Sequence, residues 1–147
     1  MHHPEAVPTR MRIASQLARA YLCNDMADST ETYAVVYITA SSLAEARQLA
    51  DTLVDERLAA CVSILPAVQS VYRWQGKREE AEESLLMCKT TTELFPRLEQ
   101  RVREEHSYDV PEIILVPISA ASAPYVRWMD ETLGTTARES GSASPRE

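Results

Sequence analysis

The feature that most constrains the fold of this chain is the order in which its hydrophobic period changes between residues 32 and 134. It reads strand, helix, strand, strand, helix, strand, and a last short helix. The first segment, "TYAVVYITA" (32–40), is β-branched and almost continuously apolar, the pattern of a strand covered on both faces. Ser42 followed three residues later by Glu45 is a capping-box signature. It opens a helix in which Leu43, Ala46, Leu49, Ala50, Leu53 and Val54 form one apolar stripe, ending near Leu58. Two long strands follow, "CVSILPAVQSVYRWQ" (61–75) and "EESLLMCKTT" (82–91), joined by the charged stretch "GKREEAE", where Gly76 supplies the turn. Thr91 or Thr92 caps a second helix with Pro96 in or beside its first turn. Leu94, Leu98 and Val102 are its buried row, and His106 continues that row. "VPEIILVPIS" (110–119) is a fourth strand, placed at a sheet edge by Pro117. Ser122 starts a final helix carrying Tyr125, Val126, Trp128, Met129 and Leu133.

This order predicts an α+β fold of the ferredoxin-like kind, β-α-β-β-α-β with an additional C-terminal helix, in which helices cover one sheet face. The other face needs a cover as well, because Tyr33, Val35, Val36, Tyr37 and Ile38 leave neither side of the first strand polar. The hairpin points to what supplies it. At about 3.3 Å per residue a strand over 61–75 reaches on the order of 50 Å, whereas a domain of about 100 residues has a radius of gyration near ~13 Å. The hairpin must therefore bend or overhang. Pro66 offers a bend or bulge, and beyond it Tyr72 and Trp74 share a strand face, where two large rings call for a partner surface. We read them as a contact between subunits.

Composition narrows the function classes. With 147 residues, 45% hydrophobic, and no segment approaching ~18 consecutive apolar residues, the chain reads as one domain with tails and no membrane helix. The net charge of −7 resides in residues 31–134, where 10 basic residues face 17 acidic ones. An acidic domain repels phosphate backbones, so nucleic acid is not an expected partner. Cys23, Cys61 and Cys88 are widely spaced without a CxxC pair, which suits neither a disulfide framework nor a structural zinc site and fits a reducing cytoplasm. Residues 135–147, "TTARESGSASPRE", hold no apolar residue larger than alanine and are expected to be disordered. Residues 1–30 form a disordered or weakly helical extension. Its "TRMRIASQLARAYL" has three arginines, no acid and a helical spacing of Met11, Leu17 and Tyr21, which leaves a transit peptide and an upstream extension ahead of Met26 as alternatives.

Chemistry concentrates in "EEHSYDVPE". His106 is the only histidine outside the first three residues, and Tyr108, Asp109 and Glu112 follow it beside Pro111. Pro111 ends the helical stretch by forcing its predecessor into an extended conformation, which accounts for the turn but not for the histidine. His106 is either a helix-end residue bonding a terminal carbonyl or, with Asp109 and Glu112, a ligand for a borderline cation such as copper or zinc. Tyr72, Trp74, Lys89 and Tyr108 are the interface or cleft residues, although Lys89 equally suits an exposed strand end. Cys61 and Cys88, on apolar strands, suit small core positions better than ligation. No nucleophile-plus-base spacing is recognisable, so an enzyme using Lys89, His106 and Glu112 is the least favoured class. A small-molecule-sensing trimer of the nitrogen-regulator type stands as an alternative on fold analogy alone.

Three segments, "RLAACVSILPAVQSVYRWQGK", "EESLLMCKTT" and "HSYDVPEIILVPI", resemble the CutA family of divalent-cation tolerance proteins, in order and spacing, over about residues 33–133. The resemblance implies a ferredoxin-like homotrimer whose hairpins reach across neighbouring subunits, a cytoplasmic or organellar setting, and a role in tolerance of copper and other divalent cations. It brings no catalytic activity with it. Ser107 stands where the family motif has proline and Asp109 where it has glutamate. The copper ligands attributed to some members, a cysteine on the first strand and two adjacent histidines, fall at Ile38, Glu105 and His106, so one of the three ligands is retained. A metal bound here is therefore expected to be held weakly.

Overall fold

The computed structural model describes residues 33–134. The readings of residues 1–30, including the transit peptide, and of 135–147 lie outside the described residues. The elements in chain order are β1 (Tyr33–Ala40), α1 (Leu43–Asp55), β2 (Cys61–Trp74), β3 (Lys77–Thr91), α2 (Phe95–Glu105), β4 (Ile113–Pro117) and α3 (Ala123–Leu133). One four-stranded sheet has the order β2-β3-β1-β4, with every neighbouring pair antiparallel. Both strand-helix-strand units are thus split: β3 lies between β1 and β2, and β1 lies between β3 and β4.

Alternation along β1 buries Ala34, Val36, Ile38 and Ala40 on one face. Most of these join Leu86 and Cys88 of β3 beneath Ala46, Leu49 and Leu53 of α1 and Leu98 and Val102 of α2. Each such large apolar side chain contributes about 1.5–3 kcal/mol by leaving water. The opposite face is not packed to the same degree. Tyr33, Val35, Tyr37 and Thr39 are half-buried, while Leu65, Ile114 and Val116 remain 51%, 48% and 44% exposed. The third helix covers only one end of this face, where its Met129 and Leu133 pack with Ala60, Tyr33 and Leu94. Tyr33 also donates its hydroxyl hydrogen bond to Asp130 at 2.8 Å.

Several local expectations are corrected. The stretch "GKREEAE" is not a loop: pairing runs to Trp74↔Lys77, and only Gln75 and Gly76 turn the chain. Their φ values of 47° and 76° are the pair of left-handed residues that a two-residue primed hairpin turn requires. Charge did not prevent strand formation, because both edges of this distal arm face solvent and ladder hydrogen bonds are indifferent to side-chain polarity. Pro66 does mark an irregularity: the register shifts between Leu65 and Val68, with Ala67 at φ 60°. The first helix ends at Asp55 rather than near Leu58, and Arg57 at φ 56° turns the chain so that Leu58 and Ala59 both donate to the Leu53 carbonyl. Ser42 caps α1 through the Glu45 N–H at 3.1 Å, but Glu45 returns to the Ser41 N–H rather than to that of Ser42. Neither Thr91 nor Thr92 is the N-cap of α2, which is Leu94. Thr91 is buried in β3 and its hydroxyl accepts from the Leu94 N–H instead. β4 lies at the sheet edge as expected but is shorter than 110–119.

Candidate functional site

The turn between α2 and β4 is built on His106. It is the C-cap of α2, its N–H bonded to the Val102 carbonyl at 2.8 Å, and its side chain is wholly buried. Nδ1 accepts from the Tyr108 N–H at 3.0 Å, which assigns the proton to Nε2 and makes Nε2 the donor to the Thr39 carbonyl at 2.7 Å. One neutral ring thus ties the end of β1 to the turn. Glu45, from the first turn of α1, braces the same corner by accepting from the Ser107 N–H at 2.7 Å, 3.6 Å from Nδ1. Burial works to raise the Glu45 carboxyl, but hydrogen bonds from Ser41 and Ser107 outweigh it and hold it at about 2.

Beside this corner lies a cleft of ≈ 680 Å³. The turn supplies Tyr108, Asp109, Val110 and Glu112; the hairpin supplies Tyr72, Trp74 and Glu83. The shift at Pro66 sets which side chains face it. Past the shift, Val68, Ser70, Tyr72 and Trp74 pair with Glu83, Ala81, Glu79 and Lys77, and so continue the face that carries Leu85 and Met87. Glu83 is 7% exposed and accepts from the Tyr108 hydroxyl at 3.1 Å. Burial first, and then this bond to a carboxylate, push the Tyr108 hydroxyl up to about 12, so it stays a donor. The Tyr108 ring also stands 5.0 Å from that of His106.

Of the residues singled out from sequence, Tyr72, Trp74, Tyr108, Asp109 and Glu112 come together in this cleft. His106 does not line it, and Lys89 lies apart on the open sheet face, bonded to Ser63 Oγ at 2.5 Å and the Met87 carbonyl at 3.2 Å. His106, Asp109 and Glu112 as arranged do not fit a metal: the lone pair of Nδ1 and the proton of Nε2 are both engaged within the fold. Among the described residues no group of three or more His, Cys, Asp or Glu stands ready to hold an ion. Cys88 is buried, which pushes its thiol up to about 12, and Cys61 is a half-buried free thiol. From sequence Glu83 is only a member of the strand segment 82–91 and is not among the candidate site residues. Its signal was there, because it shares the strand face of Leu85 and Met87 at a spacing of two.

No helix among the described residues is long and apolar enough to cross a membrane. The family described as CutA1 divalent ion tolerance protein matches residues 34–132. The divalent-cation tolerance protein CutA of Thermus thermophilus is 50% identical over 100 residues, covering 68% of this chain and 97% of its own. The chloroplastic protein CutA of Arabidopsis thaliana is 37% identical over 120 residues, covering 82% of this chain and 66% of its own. Among solved structures, the periplasmic divalent cation tolerance protein CutA of Archaeoglobus fulgidus superposes with a TM-score of 0.67 at 40% identity, covering 69% of this chain and 98% of that one. With a family match over residues 34–132 and a relative 50% identical over 100 residues, this chain belongs to the CutA1 divalent ion tolerance family.

Proposed function

We propose that the chain acts in tolerance of copper and other divalent cations as a homotrimer of ferredoxin-like subunits, each covering the open sheet face of a neighbour. The observation that carries this reading is that face itself. Leu65, Ile114 and Val116 lie exposed on it, Tyr37 and Met87 are paired across its centre, and among the described residues no helix packs over them. Contiguous apolar surface of this kind favours an obligate interface. The overhanging hairpin supports it, and three copies is the number that the family resemblance implies. The free thiols of Cys61 and Cys88 suit a reducing compartment such as the cytoplasm. Copper or zinc taken up at a subunit boundary is held weakly, through Asp109 and Glu112 with water, because His106 is engaged in the fold.

Native mass spectrometry of freshly purified protein tests both parts. The expected result is three copies of the 16.5 kDa chain without stoichiometric metal, and weak, saturable uptake when copper or zinc is added. A monodisperse folded monomer at micromolar concentration would overturn the assembly.

A further inference from the structure

Charge on the open sheet face is confined to one side chain. Among the described residues that the paired strands place on it, as far as the shift at Pro66, Lys89 alone is charged, opposite Val35 of β1 and Cys61 of β2. Its ammonium rests on Ser63 Oγ at 2.5 Å and on the Met87 carbonyl at 3.2 Å, both neutral. Among the described residues no carboxylate pairs with it. On a face open to water this is tolerable, because solvent screens the charge. Once a second copy closes over the face, the half-buried lysine enters an apolar contact, where a charge without a counter-charge is costly. The copy that covers Lys89 must therefore bring an acid.

The hairpin arm identifies it. β3 is continuous from Lys77 to Thr91, and residues an even number apart on one strand share a face, so Glu79 and Glu83 project from the same side as Lys89. Glu83 is not available: it is buried and already holds the Tyr108 hydroxyl. Glu79 is exposed and stands opposite Tyr72, itself 43% exposed. Among the described residues Glu79 has no ion-pair partner either. Their separation along the strand is roughly 33 Å at about 3.3 Å per residue, so the two cannot meet within one chain. They can meet between copies, because a cation at one end of a face and an anion at the other suit a head-to-tail contact, the kind that generates rings. We propose that Lys89 of each subunit is completed by Glu79 from the arm of a neighbouring subunit, an ion pair that fixes which part of the arm lies over the open face. The pair rests on the subunit contact proposed above and names the residue that the neighbour contributes to it.

The test is charge exchange, read by sedimentation of the full-length protein over a series of concentrations. Lys89→Glu and Glu79→Lys are each expected to weaken association about tenfold or more. The double variant is expected to recover association to within a few-fold of the wild type, since it restores the pair with its sign reversed. A chain that cannot fold cannot recover, so a poorly folded single variant does not remove the test. Glu80→Lys makes the same change of net charge on the opposite side of the arm, where Glu80 bonds Arg78 at 2.6 Å, and is expected to associate like the wild type. Either single variant associating like the wild type, or a double variant no better than the single ones, would overturn the pair and leave the assembly standing. A wild type that stays monomeric across the series would overturn the assembly and the pair together.

Discussion

At the scale of single residues, His106 and Glu45 act as fasteners. The imidazole satisfies the Thr39 carbonyl and the Tyr108 N–H together, so removing it leaves two polar groups of a buried corner without partners and opens a void. His106→Ala is expected to destabilise the metal-free protein by about 2–4 kcal/mol, measured by urea unfolding at neutral pH. An unchanged midpoint would return the ring to the role of a ligand held for metal. Glu45 makes a separate prediction about acid. Its carboxyl sits at about 2 in the fold against an ordinary 4.5, so the stability it contributes is present above the ordinary value and is lost as pH falls from there toward 2. Glu45→Gln is therefore expected to flatten the dependence of stability on pH across that window, leaving the slope above pH 5 unchanged.

At the scale of elements, the hairpin arm is the one whose sequence and conformation are least in agreement. The turn demands left-handed backbone at both Gln75 and Gly76, and only the second is a residue suited to it. Gly76 has no neighbouring atoms where a Cβ would stand, so Gly76→Ala carries a purely conformational penalty of about 1 kcal/mol. Gln75→Asn is expected to act the other way and raise stability by about 0.5 kcal/mol, because asparagine tolerates the left-handed region better. Denaturant midpoints of the two variants moving in opposite directions is the expected result; a shift in the same direction would contradict the assigned turn. The strand arms were legible from their β-branched and aromatic content, but the seven residues read as a charged connection were not, since glutamate and lysine are weak strand formers. A two-residue turn and a partner strand overrode that preference. Thr91 fails as a helix cap for a related reason: a hydroxyl four residues ahead of the first helical residue looks the same in sequence whether its backbone is free or already committed to a strand.

At the scale of the whole molecule, the uneven burial of the two sheet faces is the dominant fact. One face is closed by α1 and α2; the other carries exposed Leu65, Ile114 and Val116. Placing lysine at both Ile114 and Val116 costs the single chain little, because neither is buried within it, but it puts two charges into any surface that closes over the face. The double variant is expected to lose assembly by light scattering. A mass equal to that of the wild type would show that the face is not where copies meet.

The amino-acid sequence alone determined the order of the elements, the edge position of β4, the irregularity at Pro66 and the apolar rows of both long helices, because each rests on interactions between near neighbours or on a period of two or 3.6 residues. Only the tertiary structure decided what the chemical residues do. The bond from His106 to Thr39 spans 67 positions and that from Tyr108 to Glu83 spans 25, and neither leaves a local pattern. Sequence placed His106 near Asp109 and Glu112 because they are close along the chain. The fold turns the ring inward to close a corner and brings the two acids instead to a cleft shared with Glu83 and the rings of a distant strand, since a helix end docked against β1 offers the imidazole a buried carbonyl that no stretch of nine residues can reveal.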